Sequence, residues 1–271
     1  MKIAALQMVS TPDVARNLDT AAGLIDQAAR GGAQLVALPE YFCLLGRRDT
    51  DKLAVAEDDG AGPIQQALAD AARRAKVWVV GGTLPMRTAD PNRVRNSCCV
   101  YAPDGQRVAR YDKMHLFAYD DGREHYDEGR VLEAGHAPVA FAALGFRIGL
   151  SVCYDLRFPE LYRALGHPPC DLLCVPSSFT HTTGLAHWEL LLRARAVENQ
   201  CYVIAPAQGG VHENGRRTYG HSMIVDPWGE VLAQRDEGAG VVIAELDAAR
   251  MQAVRRQLPA LSHRRAGLAS T

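Results

Sequence analysis

The 271-residue chain is 48% hydrophobic and 23% charged, with a formal net charge of −1. That composition is globular, with ample length for a large core. The near-neutral balance excludes the electrostatic footprint of a nucleic-acid or acidic-membrane binder, and no apolar run reaches the roughly 20 residues that span a bilayer.

Lys2 to Met8 reads as a first strand, and the apolar stretch at the start breaks at Ser10-Thr-Pro-Asp13, short of a signal segment with a cleavage site. From Asp13 to Arg30, Leu18, Ala21, Ala22, Ile25 and Ala29 recur at helical spacing. Asp13 is placed to cap that helix and Gly31-Gly32 to end it. Residues 34–38 form a second apolar strand that stops at Pro39-Glu40-Tyr41-Phe42. Residues 43–60 read as a loop, 63–76 as a helix and 77–83 as a third strand. Pro103-Asp-Gly105 is a turn between 97–102 and 106–111, which predicts a hairpin. Residues 112–135 are polar, aromatic and weakly periodic, and so long a loop in a compact domain tends to be functional. Strands are expected at 139–144, 146–152, 171–175, 201–205, 220–226, 229–234 and 240–246. Helices are expected at 157–165, 187–198 and 247–257, before a tail at about 258–271. Strands and helices alternate without a Pro-, Gly- or Ser-rich linker. This predicts one α/β domain over 1–271 with large mixed sheets covered by helices.

The seven cysteines, at 43, 98, 99, 153, 170, 174 and 201, contain no CxxC pair. They form neither a disulfide framework nor a zinc site, and a reducing, cytoplasmic setting is expected. Three polar residues follow three separate strands: Glu40, Lys113 and Cys153. Reactive groups of α/β sheets commonly sit beyond the carboxyl ends of strands. Cys153 stands between a strand and a helix, where backbone N–H groups and the helix dipole favour a thiolate. A shielded carboxylate can act as its base, and a lysine ammonium with the N–H after the cysteine can hold an oxyanion. The residues alone leave the plain readings open: a small buried cysteine, a capping glutamate and a solubilising lysine.

The contexts Ala37-Leu-Pro-Glu-Tyr41, Tyr111-Asp-Lys-Met-His-Leu-Phe117 and Gly149-Leu-Ser-Val-Cys-Tyr-Asp-Leu-Arg-Phe-Pro-Glu160 resemble the three signature motifs of the nitrilase superfamily of carbon–nitrogen hydrolases. The resemblance continues through 175–179, 187–202 and 220–229, so it covers nearly the whole chain in order. It implies a four-layer α-β-β-α sandwich with two mixed sheets. It also implies a catalytic triad of Glu40 as general base, Lys113 as stabiliser of the tetrahedral intermediate and Cys153 as nucleophile. The Tyr154 N–H would be the second oxyanion donor. A further glutamate common in the family falls on Glu128, with Glu124 and Asp127 close by. The implied reaction is amide hydrolysis through a thioester on Cys153, with Glu40 passing the thiol proton to departing ammonia and then activating water. No metal or cofactor is implied. A homodimer or larger homo-oligomer is.

The motif from Tyr111 to Phe117 and the long motif around Cys153 resemble the branch that acts on deaminated glutathione and, in its ω-amidases, on α-ketoglutaramate, and the tract from Tyr119 to Glu128 resembles the former rather than the shorter ω-amidase loop. Such substrates are anions, so the resemblance asks for a cation near the pocket. Arg123, Arg157 and His181 are candidates, with Ser178 and Phe179 as further binding residues. Read as residues alone, the plain reading is the stronger for each: Arg157 pairs with Glu160 at the helix start and Arg123 is solvated. N-carbamoyl-amine and nitrile hydrolysis are same-family alternatives. A catalytically silent scaffold and a thiol redox sensor are readings of another class. The other six cysteines read as packing residues, His187 and Trp188 as packing or capping groups at the start of their helix, and the arginines of 250–265 as a solvated face or subunit contact.

Overall fold

The computed structural model describes residues 1–122 and 125–265. The first half runs β1 (Lys2–Gln7), α1 (Val14–Arg30), β2 (Leu35–Ala37), α2 (Asp51–Ala54), α3 (Pro63–Ala75), β3 (Trp78–Val80), β4 (Leu84–Arg87), β5 (Val94–Tyr101), β6 (Arg107–Asp112), β7 (Ala118–Asp120) and β8 (His125–Asp127). The second runs β9 (Val139–Ala143), β10 (Phe146–Leu150), α4 (Pro159–Leu165), β11 (Leu172–Cys174), α5 (His181–Asn199), β12 (Tyr202–Ala205), β13 (Gly209–Val211), β14 (Arg217–Tyr219), β15 (Ser222–Val225), β16 (Val231–Arg235), β17 (Gly240–Glu245) and α6 (Ala248–Gln257). Single 3-10 turns occupy Glu128–Arg130 and Cys153–Arg157.

Among the described residues, one mixed sheet has the order β17-β1-β2-β3-β5-β4, with β6 also paired to β5, and a second has the order β16-β15-β12-β11-β10-β9. Strands β1, β2 and β3 are parallel, as are β10, β11 and β12. Parallel neighbours need long crossovers, and α1, α3, α4 and α5 lie in those connections. The period-2 alternation of β1 sets the layers. Ile3 and Ala5 face a core shared with Ile148, Leu150 and Leu172 of the second sheet. Ala4 and Leu6 face the opposite way, against Ile25 of α1 and Leu68 of α3. Trp188, Leu192 and Ala196 of α5 cover the second sheet. The result is the helix–sheet–sheet–helix sandwich expected, with two mixed sheets.

The structure departs from the expected elements in short segments. Residues 43–60 contain α2, and the long loop 112–135 contains the β7–β8 hairpin. Strands β4, β13 and β14 were not expected. Helix α5 starts at His181 rather than 187, because Thr180 Oγ1 accepts the Thr183 N–H at 3.3 Å and caps it. Gly184, a weak helix former, stands inside that first stretch because a Cβ there would lie 2.3 Å from Tyr219. His187 and Trp188 therefore sit within the helix and cap nothing; Trp188 is buried and donates to the His221 carbonyl at 2.8 Å. The helix expected over 157–165 begins only at Pro159. Its ring holds Phe158 extended (φ −113°, ψ 92°) and separates α4 from the 3-10 turn at Cys153. The arginines of α6 are not simply a solvated face: Arg255 donates to the Cys170 and Gln200 carbonyls and to Asp171, pinning α6 to the second sheet.

One crossing segment ties the two sheets together. Gln208 donates its N–H to the Ser177 carbonyl, 2.9 Å away beyond β11, while its side chain donates to the Glu40 carbonyl at 3.1 Å beyond β2. The β3–β4 connection closes on the same place. Gly82 has φ +55°, and a Cβ on it would lie 2.1 Å from the Pro39 carbonyl oxygen, directly before Glu40. Gly82→Ala must overcome both the left-handed backbone and that overlap. It is expected to destabilise the fold by roughly 2–4 kcal/mol, read as a lower urea midpoint at unchanged m.

Candidate active site

Three chain segments reach the end of the sandwich and meet there. After β2, the Leu38 N–H is held by the Val80 carbonyl at 2.9 Å, and Tyr41 takes a left-handed conformation (φ +56°) with its N–H on Thr83 Oγ1 at 2.8 Å. This turn points Glu40 inward, where it is 1% exposed. After β6, the Lys113 N–H bonds the Asn96 carbonyl at 3.0 Å, and its side chain is fully buried. After β10, Cys153 is also left-handed (φ +49°), with its N–H on the Pro176 carbonyl at 2.9 Å. Left-handed backbone at a non-glycine residue is strained and persists only where its surroundings enforce it.

Asp155 supplies that enforcement at Cys153. Its fully buried carboxylate accepts the Val152 N–H at 2.8 Å, the Tyr111 hydroxyl at 2.7 Å and the His115 N–H at 3.0 Å, and meets His115 Nδ1 at 2.7 Å. It thus binds the cysteine turn to both flanks of Lys113.

The Lys113 ammonium donates to Glu40 Oε1 at 2.9 Å and to Glu128 Oε2 at 2.7 Å. Glu128 also accepts the Tyr41 hydroxyl at 2.6 Å and the Phe117 N–H at 2.8 Å, and Glu40 accepts from Asn96 Nδ2 at 2.9 Å. Burial alone would discharge the ammonium; Glu128 and Glu40 outweigh it and hold Lys113 well above the usual lysine range. Burial likewise opposes the charge on Glu128, but Lys113 dominates and Glu128 lies below its usual range. Glu40 goes the other way: burial, with help from the charge on Glu128, raises it despite Lys113. Burial, followed by the Glu40 charge, pushes the Cys153 thiol well above the ordinary value. The expected thiolate-favouring position is therefore corrected. The helical segment after Cys153 is one 3-10 turn of 5 residues, too short for a strong dipole, and desolvation beside a carboxylate wins.

Cys153 opens into a small cleft lined also by Phe117, Tyr154, Arg157, Ser178 and Phe179. Among the described residues the Ser178 hydroxyl is buried without a hydrogen-bond partner. Arg157 stands over the rings of Tyr154 and Phe179, at 5.8 and 5.4 Å, and meets His187 Nδ1 at 3.2 Å. It does not pair with Glu160 among the described residues. His181 lies outside this cleft, with its ring on Tyr219 at 5.9 Å. Arg123 and Glu124 lie outside the described residues. Of the expected site residues the structure thus brings together Glu40, Lys113, Cys153, Glu128, Tyr154, Arg157, Ser178 and Phe179. Residue reasoning missed Tyr41, Asn96, Asp155 and Gln208. The signal for Asp155 and Tyr41 was available, since both are polar residues inside otherwise apolar motifs next to a candidate catalytic group.

Residues 2–256 match the sequence profile of the carbon-nitrogen hydrolase family. A Synechocystis protein named deaminated glutathione amidase is 45% identical over 265 residues, covering 96% of this chain and 97% of its own. A Saccharomyces cerevisiae crystal structure from branch 10 of the nitrilase superfamily superposes with a TM-score of 0.87 at 30% identity, covering 96% of this chain and 94% of that one. A Nesterenkonia amidase structure, in which acrylamide has added to the active-site cysteine, superposes with a TM-score of 0.80 at 27% identity, covering 96% and 98% of the two chains.

The buried charges predict a pH dependence of stability. Glu128 is depressed on folding, so its contribution is complete above the ordinary value of 4.5 and is lost as the pH falls through the lower folded value. Glu128→Gln removes that term. The urea midpoint of the variant is expected to fall less steeply below pH 4.5 than that of the wild type.

Proposed function

The chain belongs to the carbon-nitrogen hydrolase family and is an amide-hydrolysing enzyme, and from that premise we propose that Glu40, Lys113 and Cys153 carry the reaction and that deaminated glutathione is the substrate. The observation that supports the catalytic part most directly is the shared burial of one ammonium and two carboxylates beside a thiol that lines a cleft. The substrate rests on the 45% identical relative of that name, matched over 97% of its length.

At rest the thiol of Cys153 keeps its proton. As the sulfur attacks the amide carbonyl, the proton passes to Glu40, whose raised pKa makes it a competent acceptor. The C=O pair collapses onto oxygen, and the Lys113 ammonium and the Tyr154 N–H stabilise the oxyanion. Glu40 then protonates the departing nitrogen and the C–N bond breaks, leaving a thioester on Cys153. Water, deprotonated by Glu40, attacks the thioester, and the thiolate leaves and recovers the proton. On deaminated glutathione the departing group is a dipeptide amine rather than ammonia. Glu128 and Tyr41 hold Lys113 in place. Arg157, which lines the same cleft as Cys153 and stands over two aromatic rings, receives the carboxylate of the keto acid.

We also propose a homodimer, supported by Leu185 and Leu190 of α5, which are 69% and 68% exposed, and by the exposed Trp228 in the turn packed beside that helix. Light scattering in solution tests it. A reducing, cytoplasmic setting belongs to the same proposal and is supported by seven free, buried cysteines.

Purified enzyme should release the dipeptide from deaminated glutathione faster than it hydrolyses α-ketoglutaramate, a carbamoyl amine or a nitrile. Cys153→Ala should lose on the order of 10³-fold or more in kcat/KM; activity that survives this change sinks the nucleophile assignment. Because Glu40 must be ionised to accept the proton and its pKa is raised, the acid limb of kcat/KM should fall at an apparent pKa above 4.5. Arg157→Gln should lower kcat/KM for the keto acid by roughly 10–100-fold, the range of a lost charge-assisted hydrogen bond.

A further inference from the structure

We propose that a second, basic cleft beside Tyr41 binds the distal carboxylate of the departing peptide. This rests on the reading of the substrate given above and extends it to the other side of the scissile bond. The cleft is open on one side and is lined by residues including Tyr41, Arg47, Arg48, Lys52, Tyr126 and Arg216, with Asp49 as an acid on its wall. It touches the reacting groups through one side chain, since Tyr41 donates to Glu128 at 2.6 Å and Glu128 accepts from Lys113.

Two of its cations are built in rather than scattered on the surface. Lys52 has a side chain only 15% exposed, and its ammonium lies 4.9 Å from the centre of the Tyr41 ring. Burial pulls its pKa down, with Asp49 and Glu128 opposing and Arg216 adding to the fall. Arg216 lies 4.7 Å over the Tyr126 ring, and among the described residues its buried Nε has no hydrogen-bond partner. Among the described residues no carboxylate pairs with its guanidinium. A planar donor fork, oriented by a ring and lacking an acceptor, fits a carboxylate. The neighbouring depressed ammonium also gains when an anion arrives.

The division of the substrate follows from the chemistry. The acyl part stays covalently bound through the thioester and belongs in the cleft that Cys153 lines. The amine part must depart after the first half-reaction, and the larger cleft, which Cys153 does not line, suits a group that comes and goes. Charge opposite to a terminal carboxylate there would hold the peptide nitrogen in place during attack and still release it afterwards.

The test compares deaminated glutathione with the same molecule carrying a C-terminal carboxamide, in the wild type and in Arg216→Gln and Lys52→Met. Wild-type kcat/KM should favour the acid by about 10-fold or more, as for loss of a charge-assisted hydrogen bond. Both variants should bring the acid-to-amide ratio close to unity, mainly through KM for the acid. Two variants are used so that poor folding of one leaves the comparison intact. Turnover with the wild-type ratio retained in both variants overturns this proposal alone. A wild type that turns over neither compound overturns the substrate assignment and this proposal with it.

Discussion

One ammonium held between two carboxylates in a dry core sets the character of this protein. Lys113 cannot neutralise both Glu40 and Glu128, and the surroundings decide how the shortfall is shared. Glu128 receives the Tyr41 hydroxyl and the Phe117 N–H as well as Lys113, so it keeps its negative charge. Glu40 receives less from its surroundings for the same burial and becomes the more basic of the two. Two identical side chains thereby acquire different duties: one anchors a cation, the other exchanges a proton with the neighbouring thiol. The same shortfall keeps Cys153 protonated, because a third negative charge in that space would be costly.

Much of this was legible from residues because its parts are local. Strand ends are visible in apolar runs, and Glu40, Lys113 and Cys153 each stand just beyond one. The motif resemblance supplied their partnership, which spacing alone could not. Glu128 was harder to place: Glu124 and Asp127 are near neighbours, and only the fold of the intervening hairpin decides which carboxylate turns inward. The long segment 112–135 lacks periodicity because β7 and β8 are 3 residues each, below the length at which alternation can be read. The same brevity hid β4, β13 and β14. The helix-dipole reading at Cys153 fails for a different reason. A strand-to-helix junction suggests a dipole, but sequence does not show that Pro159 cuts the helix away or how deeply the sulfur is buried.

Asp155 shows how a residue with no reactive role can govern one that has it. A carboxylate in a fully buried place is tolerated only when its oxygens are satisfied, and here the donors come from Val152, Tyr111 and His115. These lie on the two segments that must be held together, so the requirement to satisfy one charge brings the cysteine turn and the lysine segment into register. The left-handed backbone at Cys153 is strain that this network absorbs.

The crossing segment at Gln208 has a mechanical meaning beyond its hydrogen bonds. Two sheets that meet only through apolar side chains can slide a little, since dispersion contacts have no preferred direction. Gln208 grips the Ser177 carbonyl on one sheet and the Glu40 carbonyl on the other. The span between proton acceptor and sulfur is thereby set by a covalent strut of main chain and one amide, as a caliper is set by its frame. Slack elsewhere in the sandwich is then absorbed in the packing between the sheets, while the jaws of the caliper keep their opening.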